Sequence, residues 1–223
     1  ASKYFKNISI DMIFAINNQT IKELKEDINT LMSLPITHVS YYSLLIEENT
    51  ILWAKKVLNV NDDMQAKMYK LINKELKKYG FNRYEISSFA KHKKYQSYHN
   101  KLYWKNKHYD ALGLAASGYI YNIRYTNNIN INTYIQNNFT LSEKVTLSKE
   151  DIMFDEIMLN LRLDEGLDIN KFNKRFNVSF LTLYNDAITK NINNKLIIMK
   201  NGKIKTTFKG SLLLNSILVD FLN

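Results

Sequence analysis

No cysteine occurs among the 223 residues. Disulfides, thiolate metal sites, cysteine nucleophiles and iron–sulfur ligation from within the chain are thereby excluded. Proline occurs once and glycine six times, so each glycine is expected to serve a backbone requirement. No apolar run approaches the roughly 18 residues of a membrane span. The first residues show no basic segment followed by an apolar stretch, and a cytoplasmic protein is expected, with peripheral membrane association left open.

What is present is a 45% hydrophobic chain with 31 Lys and Arg against 21 Asp and Glu, a formal charge of +10. That is enough apolar content for one or two domains. A basic balance suits nucleic acid, an anionic membrane surface or an acidic ligand. Yet the lysines spread over predicted helix faces, and only Lys91-His92-Lys93-Lys94 clusters. A solvated lysine-rich surface is the simpler reading. The asparagine runs, such as Asn127–Asn132, read as biased residue usage.

Ile8–Phe14 reads as a strand with one acid, Asp11. Thr20-Ile21-Lys22-Glu23 is a capping box, and Ile21, Leu24, Ile28, Leu31 and Met32 share the face of the helix behind it. Pro35 stops that segment, and Val39–Ser43 reads as a second strand. A further helix is expected from Asn61, with Met64, Met68, Leu71, Ile72, Leu76 and Tyr79 on one face and Gly80 as its left-handed end. Tyr84–Ser87 is a third strand candidate. Strands alternating with helices favour a parallel sheet, open or part of a (β/α) barrel.

Residues 99–126 are aromatic-rich and then small, and 137–148 read as a polar linker. Ser148 can cap the next helix, with Ile157, Met158 and Leu161 inward. Leu196–Met199 and Lys203–Thr206 flank Asn201-Gly202, a type I′ turn signal. A last apolar helix, with no obvious cap, is expected from about Lys209. Helices plus a hairpin resemble a small winged-helix module. The expected division is residues 1–145 and 146–223.

Seven motifs occur in an order that resembles one family. Asp11–Thr20 resembles D-L-I-x-G-L-P-x-Q-T, and Ser33–Leu44 resembles L-x-x-x-H-I-S-x-Y-S-L, with Glu47 and Thr50 following. Tyr84–Ala90 resembles Y-E-I-S-N-F-A, and His99–Trp104 resembles H-N-x-x-Y-W. Gly113–Tyr119 resembles G-x-G-A-S-G-Y, Leu159–Gly166 resembles L-x-L-R-x-x-E-G, and Thr207–Gly210 resembles T-x-K-G. The chain is similar to oxygen-independent coproporphyrinogen III oxidase-like radical S-adenosylmethionine (SAM) proteins, and in its Tyr84–Ala90 and His99–Trp104 motifs to their haem-chaperone branch.

That resemblance implies an α/β fold: the C-terminal part of a partial (β/α) barrel, then a winged-helix-like α+β domain. It implies SAM and a [4Fe–4S] cluster in full-length members. The cluster is held by a C-x-x-x-C-x-x-C loop that this chain lacks, and roughly the first 150 residues of a typical member are expected to have no counterpart here. The chain alone is expected to be inactive as an enzyme. Haem binding and transfer to an acceptor protein is the function implied. Oxidative decarboxylation of coproporphyrinogen in porphyrin biosynthesis is the alternative.

A carboxylate in an apolar strand must be paired or solvated at a cleft, and Asp11 matches the family aspartate that contacts SAM. The alternative is a strand-end acid meeting a lysine. Leu45 and Ser117 match cofactor-contacting positions, where backbone suffices and ordinary sheet packing is the competing reading. Tyr41 and Tyr42 must face opposite sides, so one of them, assigned as Tyr42, can join the cofactor site. His99 is the candidate haem ligand, with Tyr103 and Trp104 as an apolar face; a hydrogen-bonded structural histidine is the competing reading. Arg124 or Lys101 can meet propionates, or be surface charge. Glu85 can hold a site histidine or arginine, or form a buried pair. His38, His92 and His108 rank lower, and no zinc spacing occurs.

The sequence departs from the family at Ala15, Asn17 and Asn18, which replace glycine, proline and glycine, and at Tyr98, where arginine usually stands. The first set is expected to relax a tight turn beside the cofactor. Nucleic-acid binding by the basic C-terminal module is a third function weighed. Residues 178–192 hold only Lys190 as a basic residue, which argues against a recognition helix.

Overall fold

A computed structural model describes residues 1–136 and 140–222. Residues 137–139 of the expected linker lie outside the described residues. The chain divides into two compact units, residues 1–96 and 97–223.

The first unit opens with β1 (Ser9–Phe14), then α1 (Ile21–Met32) and β2 (His38–Ser43). β1 and β2 pair in parallel, as the strand–helix–strand rhythm predicts. The capping box is present in full: Thr20 Oγ1 accepts from Glu23 N at 3.2 Å, and Glu23 Oε2 accepts from Thr20 N at 2.7 Å. Leu24, Ile28 and Leu31 form the buried stripe of α1. A short α2 (Ile51–Ala54) is capped by Thr50, and α3 (Asp62–Lys78) is capped by Asn61. Met68, Tyr69, Ile72 and Leu76 are buried on α3, and Gly80 ends it at φ +81°. Tyr79, expected inward, is exposed.

The third parallel strand does not form. β3 (Asn82–Arg83) and β4 (Ser88–Ala90) flank Tyr84–Ser87, giving the order β1-β2-β4-β3 with β4 antiparallel to β2 and β3. The reason is local. Ser87 N donates to Glu85 Oε2 at 2.9 Å, and Tyr84 N donates to Ser88 O at 3.1 Å. A side chain that satisfies the amide two residues on folds the segment into a turn.

The second unit begins with α4 (Tyr98–Trp104), followed by β5 (Ser117–Ile120), β6 (Ile123–Asn127), α5 (Ile131–Gln136) and β7 (Leu141–Thr146). β5, β6 and β7 make an antiparallel sheet. β7 falls where a polar linker was expected. Only Leu141 and Val145 of its six residues are apolar and all six are exposed, and pairing with β6 supplies what such a strand cannot supply alone.

α6 (Lys149–Asn160) starts at a Ser148–Asp151 capping box, with Ile157 and Leu161 buried and Met158 partly so. β8 (Leu167–Asp168), α7 (Ile169–Phe176), α8 (Phe180–Leu183) and α9 (Asn185–Asn193) lead to β9 (Ile197–Lys200) and β10 (Lys203–Thr206). β8 joins this hairpin in the order β8-β10-β9. Asn201 and Gly202 both have positive φ, 52° and 69°, as the turn signal requires. The final apolar segment is two helices, α10 (Phe208–Leu212) and α11 (Leu214–Val219). α10 does have a cap: Gly210 N donates to Thr207 Oγ1 at 2.9 Å. Phe172, Phe180, Tyr184 and Phe221 pack ring against ring in the core, with centroids 5.0 to 6.4 Å apart.

Candidate functional site

β1 is a two-faced strand. Met12 and Phe14 turn inward, and Phe14 stacks on Tyr69 of α3 at 6.4 Å and meets Tyr41 edge-on at 6.1 Å. Ser9, Asp11 and Ile13 are exposed on the other face. The register sets His38 beside Ser9, Ser40 beside Asp11 and Tyr42 beside Ile13. Tyr41 is 1% exposed and Tyr42 is 41% exposed, so Tyr42 is the tyrosine on the Asp11 face. Asp11 makes no hydrogen bond or ion pair among the described residues. It is solvated, and the lysine partner that would make it structural is not there.

Around Asp11 the face is polar but internally satisfied. Ser9 Oγ lies 2.7 Å from His38 Nδ1, and His38 Nε2 lies 2.8 Å from Tyr84 Oη. Ser88 donates to Ser40 at 3.3 Å. His38 is 4% exposed. Burial pushes its pKa below the usual histidine value, and the Asp11 charge works the other way. Period-2 alternation from Asp11 places Ser9 and Ile13 on its face, a signal the sequence carried and motif matching passed over.

Leu45 follows β2 and is 63% exposed, while its neighbours are tied: Leu44 N to Phe14 O at 2.8 Å, Ile46 N to Asn59 Oδ1 at 3.1 Å. The Leu45 amide has no partner among the described residues, which suits a backbone contact. The replaced glycine at Ala15 has not relaxed the turn. Ala15 holds φ +59° and Asn18 φ +65°. The same holds for Ala115, at φ +57° where the resembled motif has its second glycine. Left-handed backbone is kept at a strain of about 1 kcal/mol for an L-residue.

Ser117, His99 and Arg124 belong to the second unit. Ser117 is exposed on β5, with Oγ 3.0 Å from Thr126 Oγ1. Beside it Gly118 lies under the Tyr125 ring: an added Cβ would meet Tyr125 Cζ at 2.4 Å. The ring is fixed there, since Tyr125 Oη donates to Asp110 at 2.9 Å and accepts from Ala111 N at 3.1 Å. The small-residue run thus serves close strand packing at Gly118.

His99 is exposed in the first turn of α4. Its ring stands edge-on to Tyr103 at 4.8 Å, and neither ring nitrogen is hydrogen-bonded among the described residues. This histidine is not a hydrogen-bonded structural one. Tyr103 continues to Tyr109 at 4.5 Å, and Tyr109 to Tyr119 at 6.4 Å. His108 contacts Tyr119 and Tyr121. The Trp104 ring is covered by the Arg162 guanidinium at 5.4 Å. Arg124 pairs with the buried Asp155, whose carboxyl burial pushes up and Arg124 pulls down. Arg124 is therefore committed within the unit, although half exposed. Among the described residues no cluster of three or more potential metal ligands occurs, and no helix is long and apolar enough to cross a membrane.

The chain is similar to known proteins along most of its length. The structure matches that of coproporphyrinogen III oxidase (HemN) from Escherichia coli, a radical SAM enzyme, with a TM-score of 0.77 at 13% identity, over 96% of this chain and 54% of that one. The mixed α/β fold is thus that of the HemN structure. Residues 147–213 match the model of the HemN C-terminal domain. The heme chaperone HemW of Lactococcus lactis subsp. lactis (strain IL1403) is 36% identical over 98% of this chain and 59% of its own length. That of Bacillus subtilis (strain 168) is 31% identical over the same shares. The chain is thus similar to HemW heme chaperones and, in its C-terminal part, to the HemN C-terminal domain, and it spans 59% of the length of these HemW relatives.

Proposed function

We propose that this chain is the C-terminal portion of a HemW-like haem chaperone and takes part in haem binding and transfer to an acceptor protein in the cytoplasm. The observation that carries the reading is similarity to heme chaperones along 98% of the chain. In this reading residues 1–145 are the C-terminal part of a (β/α) barrel and 146–223 a winged-helix-like domain. Asp11, Tyr42 and Leu45 of the first unit are its SAM-contacting positions, and Ser117 of the second unit is a separate candidate. An uncommitted carboxylate beside an exposed tyrosine fits the diol or ammonium of that group, since both donate to it. SAM would supply a carbon-centred radical only when reduced by a cluster this chain does not hold; Asp11 would orient it and Tyr42 would shield one side. The [4Fe–4S] cluster does not fit these residues, because the chain holds no thiolate.

Haem is the cargo. His99 offers it an imidazole with both nitrogens uncommitted, beside the Tyr103 ring. Arg124 faces propionates only with the part of its guanidinium that Asp155 leaves free. Titrating haem into the purified chain is expected to give a red-shifted Soret band that His99→Ala loses. An unchanged free-haem spectrum at micromolar haem would overturn haem binding. Consumption of coproporphyrinogen by the longer protein would instead favour the oxidase reading.

A further inference from the structure

His99 and Tyr103 lie one turn apart on α4, so their side chains share a face, and the rings meet edge-on at 4.8 Å. Tyr103 meets Tyr109 at 4.5 Å, and Tyr109 faces Tyr119 at 6.4 Å. His108 then lies 5.6 Å from Tyr119 and 5.4 Å from Tyr121. Rings therefore follow one another in contact from His99 to Tyr121, all within the second unit. The backbone fixes the middle of this run. Tyr109 N donates to Tyr119 O and Tyr119 N to Tyr109 O, both at 2.9 Å, and residues so paired stand side by side on one face.

The ends of the run differ from its middle. His99 is exposed, and Tyr121, at the turn between β5 and β6, is 74% exposed. Tyr119 is buried, and its hydroxyl donates to no acceptor among the described residues. A phenol at neutral pH holds its proton and must release it on losing an electron. At Tyr119 nothing receives that proton, so oxidation does not come to rest there. At Tyr121 water takes it. Exposure thus gives the run a direction, outward to Tyr121.

We propose that this run of rings carries oxidising equivalents from haem at His99 to Tyr121, so that the chain disposes of peroxide that reacts with its haem. The inference rests on the reading of His99 as the haem ligand. Peroxide is the oxidant and a small thiol the reductant. Ferric haem takes both oxidising equivalents of one peroxide, with release of one water. Each equivalent is met by one electron drawn from Tyr121 along the rings, the phenol proton passing to water. A thiol restores each Tyr121 radical by giving up a hydrogen atom, and two thiyl radicals join. Over the cycle one peroxide and two thiols become two waters and one disulfide. Without thiol, Tyr121 radicals of two molecules couple through a new carbon–carbon bond.

Treating the haem-loaded chain with hydrogen peroxide, without thiol, tests this. Dityrosine fluorescence is expected, with the linked peptides carrying Tyr121, and added glutathione should suppress it. Tyr109→Phe keeps a ring in place but has no phenol to oxidise. Its Soret band should match that of the wild type, while the Tyr121 product is lost although Tyr121 is intact. An undiminished Tyr121 product in Tyr109→Phe overturns the inference. So does cross-linking confined to Tyr98, the exposed tyrosine beside His99. A wild-type chain that shifts the Soret band yet forms no Tyr121 product overturns the inference and leaves haem binding standing. Absence of any Soret shift overturns both.

Discussion

His38 carries a pH dependence that its surroundings define. Its ring is buried between Ser9 and Tyr84, and Asp11 is the charged group beside it. Burial lowers the folded pKa below the 6.5 of the free side chain. In the unfolded chain the ring protonates as pH falls through 6.5, while the folded ring stays neutral. The unfolded state then binds more protons, so stability falls with pH across that window and levels once the folded ring also protonates. Urea denaturation between pH 7.5 and pH 5 (roughly the range spanning the histidine pKa) should show this decline, and His38→Gln should flatten it. An equal slope in the variant would remove His38 as its source. Sequence pattern marked His38 only as part of a motif and ranked it low. Its bonds to Ser9 and Tyr84 cross 29 and 46 residues, which no local pattern reports.

At the scale of elements, local chemistry was legible and pairing was not. The caps at Thr20 and Ser148 and the Asn201-Gly202 turn lie within four residues of what they satisfy, and each forms as read. Tyr84–Ser87 had strand composition, yet Glu85 diverts it into a turn. β7 had linker composition, yet β6 recruits it. In the sheet that β7 completes, Gly118 is the position where a side chain cannot be added freely. Gly118→Ala sets a methyl against Tyr125, whose hydroxyl is held at both Asp110 and Ala111. The expected cost is about 1–3 kcal/mol, typical of overpacking, read from the urea midpoint. Tyr125→Phe frees the ring from its anchors and should lessen the penalty of the alanine. Additive penalties would place the clash elsewhere.

Over the whole molecule, the resemblance was readable because seven short motifs keep their order along the chain. Single matches would not have sufficed. The open face of β1 and β2 was not readable as a surface, because it depends on register between strands 29 residues apart. Composition alone makes one prediction at this scale. Anaerobic treatment of the purified chain with iron and sulfide should leave no cluster absorbance after desalting, since no thiolate is available. A stable brown product would require ligands of another kind. One backbone habit has a consequence for the denatured chain. Left-handed positions that glycine commonly takes are held by Ala15, Ala115 and the asparagines at 18, 49, 106, 177 and 201. Each carries some strain when folded, but a side chain at these points also narrows the conformations open to the unfolded polypeptide. Folding therefore has less disorder to overcome at its turns than a glycine-bearing version of the same sequence would, and part of the strain is offset before any native contact forms.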